Sequence, residues 1–176
     1  MLLKDKTAVI TGCSRGIGLS MLETYSNHGA KVIACVRKKN SIFEKKISEL
    51  SKENSRKIDI VEFDLSSESE IEKGFNKIKE LSQKVDILIN NAGINQISLF
   101  QMTTLKSLRE IFEVNFFATY SFTQKLLKLI TKSSNGKIIN ISSNAATLCS
   151  PGRSGYASSK AAIIALTKVL SKELGR

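Results

Sequence analysis

Tyr156 and Lys160 stand four residues apart in Tyr156-Ala157-Ser158-Ser159-Lys160, a spacing that places both side chains on one face of a helix. An ammonium beside a phenol favours the phenolate, so the pair can exchange a proton with a ligand that both reach. A second constellation lies near the N-terminus, where Thr11-Gly12-Cys13-Ser14-Arg15-Gly16-Ile17-Gly18 follows an apolar segment and runs straight into helical periodicity. A strand, glycine turn and helix in that order form an anion cradle, because unpaired amides and the helix dipole point at one spot. Glycine there permits positive φ, close approach of backbone to phosphate, and tight packing of helix on strand. The spacing is G-x-x-x-G-x-G, not the commoner G-x-G-x-x-G.

The end of the second strand indicates which dinucleotide such a cradle prefers. An Asp or Glu at that position accepts hydrogen bonds from the adenosine ribose and repels a 2′-phosphate. The segment 31–41 has no acid, and Arg37, Lys38 and Lys39 stand where the acid would be. Arg15 reaches the same phosphate from the glycine turn. Two guanidinium groups around a dianion predict NADP(H) in preference to NAD(H).

Positioning these groups requires alternating strands and helices. Apolar, β-branched segments at Ala8–Ile10, Val32–Val36, Ile58–Phe63, Val85–Ile89 and Ile138–Ile141 read as buried strands. Between them, 17–28, 42–53, 68–82, 104–132 and 156–173 carry apolar residues at helical spacing. In the last, Ala161, Ile164, Ala165, Lys168 and Val169 trace the expected packed face. Right-handed crossovers then give an α/β, Rossmann-type doubly wound parallel sheet ordered 3-2-1-4-5. With no repeat or linker, residues 1–176 read as one domain.

Composition narrows the function classes. The 176 residues are too few for an ordinary eight-fold barrel, which takes about 250. The longest apolar run, Ala161–Leu166, is far short of a membrane span, and no signal-peptide core precedes Gly12. The three cysteines, Cys13, Cys35 and Cys149, lack zinc-ligand spacing and read as the reduced thiols of a cytoplasmic protein. Cys13 lies in the phosphate turn, where oxidation or alkylation would block cofactor entry. The single histidine, His28, leaves no His-rich metal site and is assigned to a helix end. The net charge of +11 suits nucleic acid, anionic lipid or phosphorylated ligands. Most lysines fall on polar helix faces, with no basic stripe interleaved with aromatics. The expectation is therefore no nucleic-acid partner and no membrane partner.

Farther along come Asn90-Asn91-Ala92-Gly93 after strand 4, Asn115 within the long helix, and Ser142-Ser143 thirteen residues before Tyr156. With the glycine turn and Tyr156–Lys160, in this order, the chain resembles the compact short-chain dehydrogenase/reductase superfamily. It is most similar to the bacterial 3-oxoacyl-carrier-protein reductases and related NADPH-dependent reductases. The resemblance implies an oxidoreductase moving hydride between nicotinamide and a carbonyl or hydroxyl substrate, either a small molecule or an acyl thioester. Tyr156 would be the general acid at the carbonyl oxygen, and Lys160 would also bond the nicotinamide ribose. Ser143 would polarise the substrate carbonyl, and Asn115 would hold a water linking Lys160 to solvent. Gly12, Ser14, Arg15, Gly16, Ile17, Gly18 and Arg37 would bind the cofactor with Asp64 and Leu65 at the adenine. Asn91, Ala92 and Gly93 would line it and steady the central strands.

Several of these residues have plain structural roles open to them: a turn cap for Ser143, a helix-kink bond for Asn115, a loop acid in Asp64. Compact members run to about 250 residues and continue past Arg176 into two further strands and a substrate lid. The resemblance thus implies a C-terminally truncated chain whose fifth strand is an uncovered edge. A catalytically silent NADP-binding fragment, acting through binding or association, is the alternative to an active reductase. The helices 104–132 and 156–173, with Val114, Phe116, Phe117, Ile163 and Leu166, carry more apolar surface than one sheet face needs. This predicts a homo-oligomer, a dimer or tetramer.

Overall fold

The computed structural model describes residues 1–54 and 57–175. Five parallel strands form one sheet: β1 (Thr7–Thr11), β2 (Lys31–Val36), β3 (Asp59–Glu62), β4 (Ile87–Asn90) and β5 (Lys137–Asn140), in the order β3-β2-β1-β4-β5. The expected strand order is the one found. β1 and β2 are buried almost throughout, as strands covered on both faces must be, and this explains their unbroken apolar composition.

Helices α1 (Gly16–Asn27) and α2 (Ser41–Glu53) cover one face, where Leu22, Phe43 and Ile47 pack on Ile10, Val32 and Ala34. α3 (Glu68–Leu81) and α5 (Ala118–Ile130) cover the other, where Ile78, Phe122 and Leu126 pack on Val9, Ile33 and Leu88. Local chemistry sets the helix starts: the side chains of Asn40, Ser67 and Thr104 accept from the backbone N–H three residues on, at 2.9, 3.4 and 3.2 Å. Helix α1 begins with no side-chain cap, so its first amides point at the cavity beyond β1. His28 ends this helix, with its Nδ1 2.8 Å from the Thr24 carbonyl.

Two expectations change. The segment 104–132 is not one helix: α4 (Leu105–Phe112) passes through a π-turn (Glu113–Phe117) into α5. Asn115, buried in that turn, bonds the backbone of Ile94 through its side chain, while its main-chain carbonyl accepts from Thr119 Oγ1 at 3.3 Å. In α7 (Ser154–Leu174) the packed face is Gly155, Ser159, Lys160 and Ile163. Ala161, Ala165, Lys168 and Val169 are exposed, so the small apolar residues look outward and the polar pair looks inward. Short α6 (Ala145–Leu148) and a 3-10 turn (Phe100–Met102) complete the loops beyond the strands.

Candidate active site

All strands run the same way, so the loops leaving their C-terminal ends meet at one side of the sheet. The β1–α1 turn is fixed there by Thr11 and Asn91. Thr11 Oγ1 accepts from the backbone N–H of both Asn91 and Ala92 at 3.1 Å, while Asn91 Nδ2 donates to the carbonyls of Thr11 and Gly12 at 3.1 and 3.0 Å. Two glycines show what the turn demands. Gly16 has φ +57 and open space where a Cβ would stand, so the backbone offers a bare surface to a ligand. A Cβ on Gly18 would lie 2.3 Å from the Gly12 carbonyl oxygen and 2.5 Å from Asn91 Nδ2, so any side chain breaks the turn.

Around the turn lies a cavity of about 480 Å³. From the first crossover it is lined by Gly12, Ser14, Arg15, Gly16, Ile17 and Gly18, and from the end of β2 by Arg37. Asp64 and Leu65 line it beyond β3, and Asn91, Ala92 and Gly93 beyond β4. Every residue expected at the cofactor is therefore on its wall, except Tyr156 and Lys160, which belong to α7, with Lys160 Nζ approaching Gly93 of that wall. Asp64 Oδ1 accepts from the Ser66 amide and hydroxyl, both at 2.8 Å. These bonds, aided by the charge of Arg37, hold the Asp64 carboxyl below the usual carboxylate range.

The second half of the site is built around Gly93. A Cβ there would be 3.1 Å from Asn115 Oδ1 and 3.4 Å from Lys160 Nζ, so both side chains close over this glycine. Asn115 Oδ1 accepts from the Ile94 amide at 2.8 Å, and its Nδ2 donates to the Ile94 carbonyl and to Ser159 Oγ, each at 3.0 Å. Ser159 Oγ donates in turn to the Tyr156 carbonyl at 2.8 Å. Lys160 is buried and donates to the Ile141 carbonyl at 2.8 Å. Among the described residues it has no carboxylate partner, and burial pushes its ammonium below the ordinary lysine value. Tyr156 is half-buried one turn before it. Ser143 is engaged locally, accepting from the Ala145 amide at 3.1 Å and donating to Asn144 Oδ1 at 3.4 Å, and no hydrogen bond joins it to Tyr156.

Cys13 corrects an expectation. It is fully buried, its thiol donates to the Ile10 and Cys35 carbonyls, and desolvation pushes it up to about 12. A thiol so protonated and enclosed is not a point of attack. Sequence reading also missed Thr11 and Ser159, which tie the two halves together, and Glu62, whose carboxylate accepts from the Lys39 amide at 2.8 Å beside the end of β2. Thr11 had a signal, a lone hydroxyl closing an apolar strand. Glu62 had none, because it comes from the neighbouring strand.

A glycine cradle and a Tyr–Lys helix at the C-terminal edge of a doubly wound parallel sheet define a dinucleotide-binding oxidoreductase architecture. Residues 6–176 match the short chain dehydrogenase family, and the chain belongs to it, acting on the CH–OH/C=O couple. It is 35% identical over 175 residues to the 3-oxoacyl-[acyl-carrier-protein] reductase of Aquifex aeolicus (strain VF5), covering 98% of this chain and 69% of that one. It is 32% identical over 177 residues to the 3alpha-hydroxysteroid dehydrogenase of Mediterraneibacter gnavus, covering 99% and 70%. Among solved structures, a short chain dehydrogenase of Escherichia coli CFT073 complexed with NADPH superposes with a TM-score of 0.90 at 28% identity, over 98% of this chain and 72% of that one.

Proposed function

We propose that the chain is an NADPH-dependent carbonyl reductase, with a 3-oxoacyl thioester as the favoured substrate class. The observation that carries the reading is the convergence of Lys160 and Asn115 on Gly93, at the rim of a cavity whose other end holds Arg15 and Arg37. The residues fit the dinucleotide: uncapped amides of α1 and the open face of Gly16 suit the pyrophosphate, and the two arginines suit a 2′-phosphate. When bound, NADPH supplies the hydride. Tyr156 donates the proton to the carbonyl oxygen, and the Lys160 ammonium stabilises the phenolate left behind. Ser143 donates to the same oxygen, which requires it to release Asn144. Asn115 holds the Ile94 backbone and Ser159, and so keeps α7 in register with the end of β4.

The thioester class rests on similarity to the 3-oxoacyl-[acyl-carrier-protein] reductases. A homo-oligomer is proposed from the π-turn, α5 and α7, where Phe117, Tyr120 and Val169 are about half exposed and the last two line a groove of about 200 Å³. Ile163 belongs to the core and Val114 to the cofactor cavity, so neither contributes. Light scattering checks this, and a monomer opposes it. A second reading, NADP(H) binding without turnover, is favoured by Ser143, whose hydroxyl is held by Asn144 and the Ala145 amide. Calorimetry with NADPH and NADH tests the cofactor: NADPH binds more tightly, and Arg37→Ala removes the preference. Equal binding of the two, or none, contradicts it. Oxidation of NADPH by acetoacetyl thioester then separates the reductase from the silent binder.

A further inference from the structure

Against the expectation of no membrane partner, we propose that the end of the sheet where the strands begin, opposite the cofactor cavity, is a docking surface for an anionic lipid bilayer. Each strand is entered through a lysine: Lys6 before β1, Lys31 opening β2, Lys57 before β3, Lys84 before β4 and Lys137 opening β5. The strands are parallel, so these five lie along one end of the sheet, with Thr7 in register with Lys31 and Ile87 with Lys137. At about 4.8 Å per strand the row is roughly 19 Å wide.

Two buried acids organise it. Asp59 sits 3.9 Å from Lys31 and 3.0 Å from Lys57, and Asp86 sits 3.9 Å from Lys6 and 3.2 Å from Lys84. Each carboxylate thus lies under two ammoniums, and although exposed Asp5 stands between Lys4 and Lys6, the lysines outnumber the acids on this face. Exposed Lys4 and Lys132 lie in the connections leading into β1 and β5 and extend the row.

Two features favour lipid over nucleic acid. Met1 and Leu2, 80% and 85% exposed, stand beside the row as an aliphatic wedge, the pattern of an interfacial contact. The connections into the strands contain no Phe, Tyr or Trp on which bases could stack. Lysines are flexible point charges, suited to mobile headgroups.

Co-sedimentation with vesicles of phosphatidylcholine, alone or with about one third phosphatidylserine, tests this. The expected result is binding to the anionic vesicles only, weakening as salt rises. The triple change Lys4→Glu, Lys132→Glu, Lys137→Glu avoids the four ion pairs, and should weaken binding at least about ten-fold. A control with the same charge change on helix faces, Lys45→Glu, Lys106→Glu, Lys168→Glu, should stay within about two-fold of wild type. Circular dichroism melting verifies that both fold. The proposal is overturned by equal loss in the two triples, by equal binding to neutral vesicles, by no vesicle binding, or by retention on duplex DNA without vesicle binding.

Discussion

Asp86 and Lys160 are buried charges at opposite ends of the same sheet, and their surroundings differ in kind. Asp86 accepts from the Thr7 amide at 2.9 Å and the Ser133 hydroxyl at 2.6 Å and faces Lys84 and Lys6. Those partners outweigh burial and hold its carboxyl below the usual range. Lys160 has one neutral carbonyl and no counter-charge among the described residues, and burial dominates. One end is satisfied within the chain and serves the fold. The other keeps an uncompensated ammonium beside a cavity, an arrangement that costs stability and is typical of a working site.

Breaking the satisfied end should have the largest effect on stability. Asp86→Ala orphans a backbone N–H and a hydroxyl and should cost about 3 kcal/mol in urea unfolding, at roughly 1–3 kcal/mol per buried group. The NADPH affinity of the folded protein should be unchanged. Because the folded Asp86 carboxyl lies below its unfolded value near 3.9, its contribution is fully present above about pH 4 and fades as pH falls through the folded value. Urea midpoints below pH 4 should therefore drop more steeply in wild type than in Asp86→Ala.

At the open end, Gly18→Ala forces a methyl into the Gly12 carbonyl and should cost about 1–3 kcal/mol, as overpacking does. Unlike Asp86→Ala it should also weaken NADPH binding, because the displaced atoms form the cradle. Calorimetry on the folded variant checks this.

A smaller effect on stability than either is predicted for Lys160→Met, within about 1 kcal/mol of wild type. The folded lysine is shifted below its unfolded value, so wild-type stability rises with pH between the folded and unfolded values. That alkaline rise should flatten in Lys160→Met, and a strong destabilisation at neutral pH would erase the contrast between the two ends.

The sheet was legible because its strands are buried on both faces and need continuous β-branched runs, as in Thr7–Thr11 and Lys31–Val36. The cradle was legible because glycine spacing encodes backbone geometry directly. The packed face of α7 was misread: apolar periodicity points to Ala161, Ala165 and Val169, yet the helix buries Ser159 and Lys160. A polar group enters a core only where partners from other elements meet it, here Asn115 and the Ile141 carbonyl. Asn115 lies 44 residues from Ser159, and Ile141 19 residues from Lys160, in sequence. The π-turn was hidden for the same reason, since the backbone of Ile94 meets the Asn115 side chain only once the loop after β4 is in place.

The proposed reduction depends on the Tyr156 hydroxyl as the proton donor beside Lys160. NADPH oxidation by acetoacetyl thioester, in wild type and Tyr156→Phe, tests it most directly once calorimetry has shown equal NADPH affinity. Loss of the acid should lower turnover by about 10²–10⁴-fold with the melting temperature unchanged. Turnover by Tyr156→Phe at the wild-type rate would contradict the assignment.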